Sequence, residues 1–430
     1  MDRRDFLKTA ALSGAAFLLD WEKLFAAGQA DKEAGRPWKG WEPGHFQVHF
    51  IYTGVAESMF LIFPDGTTML LDCGDHNAIG RGALAVPILP SPFRHAGEWI
   101  ARYVERVNPN GRDVDYMMVS HYHHDHAGDP YFHAGKVVRD GEEYALSGFT
   151  QAAETLTFRK AIDRLWPDYN DPLPMRDEDQ GGVVGHIRSF YRRQQRLHGL
   201  QIEKFRVGET GQIALLRDPE RYPGFSVRNV CGNGRIAAPD GTVTNLFAEE
   251  LAAGAKELNE NAMSLGIIIS FGDFRFYTAG DFSDHTERNG SVREIEDELA
   301  KVCGPVHVAK INHHGHYSMP AALVSALRPR VWMSCVWDQL HNVAPVMERV
   351  ADRSLYPGDR VICPCIFPAE RRREDAGSAW LNDIEPACFD GAHVVLDVDR
   401  GGKRYSVSCL DARDESMTVR SVLRFRTDRR

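Results

Sequence analysis

Residues 119–129 read VSHYHHDHAGD and concentrate side chains of the kind that bind metal ions. Six of the eleven are histidine or aspartate: His121, His123, His124, Asp125, His126 and Asp129. Neutral imidazoles and carboxylates are ligands that Zn²⁺, Mn²⁺ or Fe²⁺ accept, and alternate residues leaving a strand end can converge on one point. The spacing His121-x-His123-x-Asp125-His126 therefore predicts a metal site. A loop that is rich in histidine by chance is the weaker alternative, because further ligand-type residues recur downstream.

Those further residues follow two other strand patterns. The segment SLGIIISFGDFRFYTAGD is typical of a hairpin, and it ends at Asp281. The segment VHVAKINHHGH is a strand pattern that opens into a second histidine-rich loop with His313, His314 and His316. His341, in WDQLHNVAP, is isolated. His313, His316 and His341 are equally well explained as ordinary polar or core residues.

The elements that must position these loops alternate between strands and helices. HFQVHF, SMFLIF and TMLLDC predict three strands, the last two joined by a turn at 64–66. Residues 97–107 have apolar side chains at helical spacing, and DYMMVS is a buried strand that runs into the first histidine loop. From Tyr131 to Leu200 the pattern weakens, and we predict an insertion over the site with helices at 152–165 and 187–198. We also predict a helix over 291–302.

The alternation in two similar halves favours a layered α/β sandwich. The predicted boundaries are a signal at 1–30, a linker at 31–44, a main domain at 45–350 with the insertion at 131–200, and a C-terminal extension at 351–430. A hairpin at 393–410 in this extension is expected to pack on the same sandwich.

The N-terminus, MDRRDFLKTAALSGAAFLLDW, pairs two arginines with Phe6, Leu7 and Lys8 and continues into an apolar run. This resembles a twin-arginine export signal, so the twin-arginine machinery is an expected partner and the location is periplasmic or extracellular. A basic amphipathic helix is the alternative. The run is too short for a stable membrane anchor, and we expect no stable membrane span.

Composition narrows the function classes. The chain has 430 residues, 43% of them hydrophobic, with a formal net charge of −9. No global basic surface is available to wrap duplex nucleic acid, so nucleic acid enters only as a candidate substrate. The eight cysteines are scattered without paired spacing.

Taken together, the motifs FPDGTTMLLDCGD, MMVSHYHHDHAGD, SLGIIISFGDFRFYTAGD and VAKINHHGH resemble the metallo-β-lactamase-fold hydrolase superfamily, over about His45 to Val350. Within it they look most like the metallo-hydrolase domain of bacterial DNA-uptake proteins and the phosphorylcholine esterases. The resemblance implies a four-layer αββα sandwich and two divalent metal ions, with zinc expected and manganese or iron as alternatives.

Residue by residue, the resemblance implies that His121 and His123 bind one ion. Asp125 and His126 bind the second, Asp281 bridges the two, and His314 completes the second site. His313 is then a neighbour or proton donor. Asp72 would orient the ligating histidines by hydrogen bonds.

The sequence departs from the family in two places. The third histidine of the first metal has no recognisable motif, and the available residues are His133, His186 and His198, of which His186 is the weak first choice. The first site is therefore expected to be the weaker one. The segment YTGVAESM also stands where the relatives carry a Gly-rich acidic turn, which leaves the geometry beside Asp72 open.

Such a ligand set predicts hydrolysis by a metal-bound hydroxide, with Asp125, Asp281 and His313 as the catalytic residues. Histidine at position 123 favours hydrolysis, because the oxygen-reducing members of the family typically have glutamate there. The leading hypothesis is a phosphodiesterase that acts on nucleic acid or an envelope phosphodiester. The alternatives are a lactone, lactam or acyl-bond hydrolase and a non-catalytic metal-binding protein. Four arginines of the segment IRSFYRRQQRLHG could contact a phosphodiester or form an ordinary charged helix face.

Overall fold

The computed structural model of this chain describes residues 33–77, 79–283, 285–288 and 291–428. The export signal predicted at residues 1–30 lies outside the described residues. No helix among the described residues is long and apolar enough to cross a membrane.

The strands of the described chain carry mostly buried, β-branched or aromatic residues, as a sheet interior requires. In order they are β1 Phe46–Phe50, β2 Ser58–Ile62, β3 Thr68–Cys73, β4 Asp113–Met118, β5 Lys136–Arg139, β6 Glu142–Ala145, β7 Thr157–Asp163, β8 Gln201–Lys204, β9 Phe225–Gly232, β10 Arg235–Ala237, β11 Val243–Asn245, β12 Gly266–Phe271, β13 Phe274–Thr278, β14 His285–Arg288, β15 Ser291–Glu294, β16 Val308–Lys310, β17 Val331–Ser334, β18 Val361–Pro364, β19 Ala392–Val398, β20 Arg404–Asp411 and β21 Val419–Arg426.

The α-helices of the described chain bury one apolar face each where they are long enough to have one. They are α1 Ala96–Val107, α2 His124–Ala127, α3 Phe149–Ala152, α4 Val183–His198, α5 Ala248–Ala252, α6 Glu296–Cys303, α7 Ala321–Leu327, α8 Ala344–Ala351 and α9 Ala369–Glu374. Short 3₁₀ helices cover Ile79–Leu84, Pro219–Arg221, Asn261–Met263, Asn312–Gly315, Ala379–Asp383 and Pro386–Cys388.

Two large mixed sheets organise the molecule. The first has the order β21-β20-β19-β1-β2-β3-β4-β7-β8, and the second has the order β11-β10-β9-β12-β13-β16-β17-β18. Strands β3, β4, β7 and β8 run parallel to one another, and so do β13, β16, β17 and β18. Two separate hairpins, β5-β6 and β14-β15, complete the strand pairings.

Three apolar layers show how the sheets and helices stack. Side chains from both sheets, such as Phe46, Met118, Ile267 and Met333, share one buried cluster between them. A second cluster joins the outer face of the first sheet to α1, α3 and α4, and a third joins the outer face of the second sheet to α6, α7 and α8. The predicted four-layer αββα sandwich is confirmed.

The site-forming residues follow the ends of parallel or central strands. Asp72 lies at the end of β3, and the first histidine loop begins after β4. Asp281 comes three residues after β13, and the second histidine loop begins after β16. Ligand sites of α/β proteins form in the crevice outside the carboxyl ends of such strands, and here the two sheets bring four of these ends together.

The helix predicted at 152–165 is wrong. Residues 157–163 form β7, which pairs in parallel with β4, for example Ala161 with Met117. Burial of Phe158 and Ala161 in the outer apolar cluster, and of Ile162 between the two sheets, outweighs the local pattern, since tertiary packing overrides weak propensity. Part of the region predicted as an insertion therefore supplies a strand to the first sheet.

Two other segments refine the predicted boundaries. The helix expected at 291–302 begins at Glu296, because Ser291–Glu294 form β15. In the C-terminal region, β19 and β20 form the expected hairpin, and β19 pairs antiparallel with β1 from Phe46↔Val398 to Phe50↔Val394. The domain boundaries at residues 30, 44 and 350 stay predictions.

Candidate metal centre

The first histidine loop is held against the end of β3 by backbone contacts. The single helical turn α2 directs Asp125 and His126 inward, and both are buried. The carbonyl of Asp125 accepts a hydrogen bond from the amide of Glu57 at 2.9 Å. A Cβ atom at Gly74 would lie 1.9 Å from the same carbonyl oxygen, so only glycine permits this approach.

Four donor atoms converge at this point. His126 Nε2 lies 3.1 Å from Asp281 Oδ2 and 3.3 Å from Asp125 Oδ2. His314 Nε2 lies 3.0 Å from Asp125 Oδ2 and 3.2 Å from Asp281 Oδ2. The structure thus brings together four of the six predicted ligands, drawn from three different loops.

The two imidazoles are oriented in the same way. His126 Nδ1 lies 2.8 Å from Asp72 Oδ2, and His314 Nδ1 lies 2.9 Å from the carbonyl oxygen of Cys335. Each Nδ1 is therefore placed to donate to an oxygen, and each Nε2 faces the cluster. Ligating histidines in metalloproteins are commonly held in this manner.

His121 and His123 form the adjoining part of the site. His121 Nε2 lies 3.1 Å from His123 Nδ1 and 3.9 Å from Asp281 Oδ2. His121 is fully buried, whereas His123 is partly exposed. Asp281 thus lies between the pair assigned to the first ion and the pair assigned to the second, which is the position that a bridging ligand requires.

Asp72 connects the histidines through Ser120. Its Oδ1 accepts from the amide of Ser120 and its Oδ2 accepts from the Ser120 hydroxyl, both at 2.7 Å. The Ser120 hydroxyl also lies 3.1 Å from His121 Nδ1. Asp72 adopts a φ of 57°, a strained conformation for a residue with a side chain, and such strain is common at functional sites.

The charges of the cluster favour a bound cation. Burial lowers the pKa of His314, but the carboxylates of Asp281 and Asp125 outweigh it and raise that pKa to about 10. Burial also lowers the pKa of His126, but the carboxylates of Asp281, Asp125 and Asp72 outweigh it and raise that pKa well above its ordinary value. Burial alone would raise the pKa values of Asp125 and Asp281, yet the two histidines hold both well below the usual range.

These residues fit a divalent metal ion. His126, His314 and Asp281 form with Glu57 a group that is spaced to hold an ion, and Asp125 contacts both histidines. One oxygen of Asp281, Oδ1, is buried without a hydrogen bond. Ligands of a tetrahedral zinc ion lie roughly 3.3 Å apart, given bonds of about 2.0–2.1 Å. The four distances between a histidine nitrogen and an aspartate oxygen, 3.0–3.3 Å, match this separation.

A buried ion pair beside the cluster was not predicted from the sequence. Lys310 Nζ lies 3.1 Å from Glu57 Oε1 and 3.6 Å from Asp281 Oδ1, and both Lys310 and Glu57 have no exposed side-chain surface. Glu57 Oε2 also lies 3.3 Å from His314 Nδ1. Burial raises the pKa of Glu57, while Lys310 and the histidines act in the opposite direction. Glu57 belongs to the segment YTGVAESM, whose geometry the sequence left open.

The remaining histidines near the second loop differ in environment. His313 Nδ1 lies 3.0 Å from Ser283 Oγ, and its Nε2 lies 3.2 Å from Asn261 Nδ2. Burial is the main cause that lowers the pKa of His313 to about 4, so the imidazole is neutral at pH 7. His341 stacks on His314 with ring centroids 4.6 Å apart, and burial lowers its pKa well below the ordinary value. His316 is partly exposed beside them.

The three histidines considered as a further ligand of the first ion lie apart from the converging donors. His186 is buried on α4, and its ring centroid lies 6.5 Å from that of Tyr144. Burial lowers the pKa of His186 to about 3. His133 Nδ1 is buried without a partner, and His198 is exposed at the end of α4. None of the three is among the converging donors described above.

The arginines of α4 are engaged within the protein. Arg192 and Arg196 pair with Glu142, Arg188 with Asp177, and Arg193 with Tyr144. The two aromatic residues between them, Phe190 and Tyr191, are fully buried. This favours the interpretation of an ordinary charged helix face over a phosphodiester clamp.

We predict that Asp72→Asn weakens metal binding by about 10–100-fold without loss of the fold. The amide keeps an acceptor for Ser120 but presents an NH₂ group to His126 Nδ1, which then loses its partner. Metal affinity is measured by competition with a chelator. Asp115→Asn is the matched control, because Asp115 is also buried but lies at the opposite end of β4, paired with Arg217. Equal affinities in the two variants would contradict the role of Asp72.

We also predict the pH dependence of the metal-free protein. The pKa of His314 is raised to about 10 from an ordinary value of 6.5, so its proton stabilises the folded state. That contribution is complete below pH 6.5 and is lost as the pH rises towards 10. The Tm of the metal-free protein should therefore fall over this range more steeply than the Tm of His314→Gln. Parallel curves for the two proteins would show that the proton has no such effect.

Comparison with known proteins agrees with this geometry. Residues 52–129 match a family model described as the metallo-beta-lactamase superfamily. The matched segment contains Glu57, Asp72 and the first histidine loop, while Asp281 and His314 lie beyond it. No curated protein matches the chain.

The sandwich and the converging donors define the class. Residues 52–129 match the metallo-beta-lactamase superfamily, whose members are generally metal-dependent hydrolases, and the sandwich and the group of metal-binding side chains agree with that match. The predicted enzyme class is confirmed at this level.

Proposed function

We propose that this chain is an exported metal-dependent phosphodiesterase. The observation that carries the hydrolase assignment is the convergence of His126, Asp281, Asp125 and His314 within 3.0–3.3 Å contacts. The type of bond and the site of action are supported by other residues, described below.

Two divalent ions, zinc in the first instance, are the proposed cofactors. His121 and His123 would hold the first ion. The second ion would be held by Asp125, His126 and His314, and Asp281 would contribute to both sites. When bound, such ions polarise a phosphoryl or carbonyl oxygen and lower the pKa of water towards neutrality. The first site has fewer ligands in the structure, and we propose that it is the more weakly occupied.

The protein's own residues orient the site and handle protons. Asp72 and the Ser120 hydroxyl fix the ring positions of His126 and His121. His313 is neutral at pH 7, so it would accept a proton before passing one to a leaving group. Its contacts with Ser283 and Asn261 hold the ring at the edge of the cluster.

A guanidinium at the mouth of the site supports a phosphodiester substrate. Arg81 lies over the Trp337 ring at 4.9 Å, and the Trp337 indole donates to Asp125 Oδ2 at 3.0 Å. Arg81 Nε donates to Asp338, which leaves the two Nη groups without a hydrogen bond to the described residues. A guanidinium with free Nη groups near the metal ligands suits a phosphate oxygen.

We propose that part of the substrate binds in a cleft beside the first histidine loop. It has a volume of about 330 Å³ and is lined by Arg164, Met175, Lys256, Glu260 and Met263, among others. Glu260 accepts from the amide of Tyr122 at 2.9 Å, so the cleft borders the loop directly. The resemblance of four motifs to DNA-uptake proteins and phosphorylcholine esterases supports a nucleic acid or an envelope phosphodiester as substrate.

Export rests on the N-terminal motif alone. The pair Arg3-Arg4 followed by Phe6, Leu7 and Lys8 supports recognition by the twin-arginine machinery and a periplasmic or extracellular location. Replacement of both arginines by lysine should leave the protein in the cytoplasmic fraction. Unchanged export would contradict this part of the proposal.

The bond that is cut is tested with three model substrates. We expect chelator-sensitive turnover of bis(p-nitrophenyl) phosphate and none of nitrocefin or a simple lactone. Arg81→Gln should raise KM for the phosphodiester with the metal content unchanged. Turnover of nitrocefin or the lactone alone would replace the proposal with an acyl-bond hydrolase, and metal-loaded protein inert towards all three would indicate a non-catalytic role.

A further inference from the structure

We propose that His76, His124 and Asp129 form a further binding site for a divalent metal ion, separate from the centre described above and independent of the proposed function. One ligand atom from each residue lies within 4.8 Å of the others. The three residues come from the loop after β3, from α2 and from the segment that follows α2.

The distances between the donor atoms are such that an ion could bind with little rearrangement of the side chains. His124 Nδ1 lies 3.5 Å from Asp129 Oδ2, and His76 Nδ1 lies 3.9 Å from the same oxygen. These separations are too long for strong hydrogen bonds but close to the roughly 3.3 Å between ligands of a tetrahedral zinc ion. The atoms are therefore spaced for an ion between them.

Each donor is held with its ligand atom available. Asp129 Oδ1 accepts from the amides of Tyr131 and Phe132 at 2.8 and 3.2 Å, which leaves Oδ2 facing the histidines. His76 Nδ1 is buried and has no hydrogen-bond partner among the described residues. A buried polar atom without a partner is costly, and a bound ion would satisfy it.

His124 is fixed from its other side. A Cβ atom at Gly181 would lie 2.9 Å from His124 Nε2, so the Gly181 backbone closes over this edge of the ring. Gly181 itself has a φ of 61°, which glycine adopts without strain. The covered Nε2 leaves Nδ1 as the nitrogen that faces Asp129.

Trp337 stands between this site and the centre. The His76 ring lies 5.2 Å from the Trp337 ring, and the Trp337 indole donates to Asp125. The side chains of His76 and His124 are 25% and 27% exposed, whereas those of His126 and His314 are 0% and 2% exposed. The further site therefore lies closer to solvent than the centre.

The donor set of two imidazoles and one carboxylate determines which metal ion the site prefers. Nitrogen-rich sites of this kind prefer Zn²⁺ and similar first-row ions over Mg²⁺ or Ca²⁺. Three protein ligands leave a fourth position for water or a ligand from solution.

The test is zinc stoichiometry in the full mature chain. Wild type, His76→Ala and Asp129→Asn are dialysed against buffered Zn²⁺, and bound zinc is measured together with hydrolysis of bis(p-nitrophenyl) phosphate. His45→Ala is the matched control, because His45 is a partly exposed histidine that pairs with Asp397 and with none of the metal donors. Circular dichroism confirms that each variant is folded, and His76→Gln replaces any variant that is not.

We expect His76→Ala and Asp129→Asn to bind one zinc ion fewer than wild type and His45→Ala. The zinc held by the centre should remain in both variants, as should whatever hydrolytic activity the wild type has. Wild-type stoichiometry in both variants would overturn the proposal. Loss of all zinc would also overturn it, because these residues would then belong to the centre. Absence of hydrolysis in every protein would count against the proposed function alone.

Discussion

Replacement of Asp281 by alanine is expected to reduce kcat/KM for metal-dependent hydrolysis by roughly a thousandfold. Asp281 Oδ2 contacts His126 and His314, and it lies 3.9 Å from His121, so one carboxylate serves both proposed ions. Its loss removes transition-state charge stabilisation of about 4 kcal/mol, which corresponds to this factor. Kinetics and elemental analysis on the same samples measure the effect.

Asp115→Ala is the control for this variant. It also removes a buried carboxylate, one that pairs with Arg217 at the far end of β4, and should lose stability but keep its metal. An Asp281→Ala protein that retains full metal content and activity would exclude Asp281 as a bridging ligand.

Replacement of Lys310 by methionine is expected to lower the free energy of unfolding of the metal-free protein by about 3–5 kcal/mol. The change leaves Glu57, which is fully buried and 3.1 Å from Lys310 Nζ, without its partner. The ammonium also lies 3.6 Å from Asp281 Oδ1, so a second carboxylate loses its cation. Urea unfolding measures the loss.

The double variant Glu57→Gln/Lys310→Met separates charge from packing. Removing both charges avoids an unpaired buried carboxylate, so we expect it to recover most of the stability lost by Lys310→Met. If the double variant is as unstable as the single one, the ion pair is not the source of the effect.

Much of the fold could be predicted because its elements have strong local patterns. The alternating segment HFQVHF contains β1, and the segment TMLLDC, which follows a turn, forms β3. The helical spacing in GEWIARYVERV corresponds to α1. Strand β7 was missed because its seven residues, TFRKAID, mix charged and apolar side chains. Its pairing with β4 and β8 depends on contacts distant in sequence.

Some residues of the candidate site could likewise be predicted from the sequence, and others could not. Closely spaced histidines and aspartates indicate metal ligands even in a single sequence, and the structure places Asp125, His126, Asp281 and His314 together. Lys310 in the apolar strand VHVAKI was a signal that was missed, since a buried lysine needs a charged partner. That partner, Glu57, is 253 residues away in sequence, and only the folded chain identifies it.

The further site could not be assigned from the sequence for a similar reason. His124 and Asp129 stand in the same loop as the centre's ligands, and spacing alone assigns every donor of such a loop to one place. The turn of α2 sends His124 and Asp125 in different directions, and His76 joins His124 from the end of β3.

The most direct test of a metal-dependent hydrolase is to follow metal content and hydrolysis of bis(p-nitrophenyl) phosphate in one sample of mature wild-type protein. The sample is measured as purified, after chelation, and after reloading with zinc. We predict that tightly bound divalent metal is present, that chelation removes metal and activity together, and that reloading restores both. Full activity in protein shown to be free of metal would contradict the central claim.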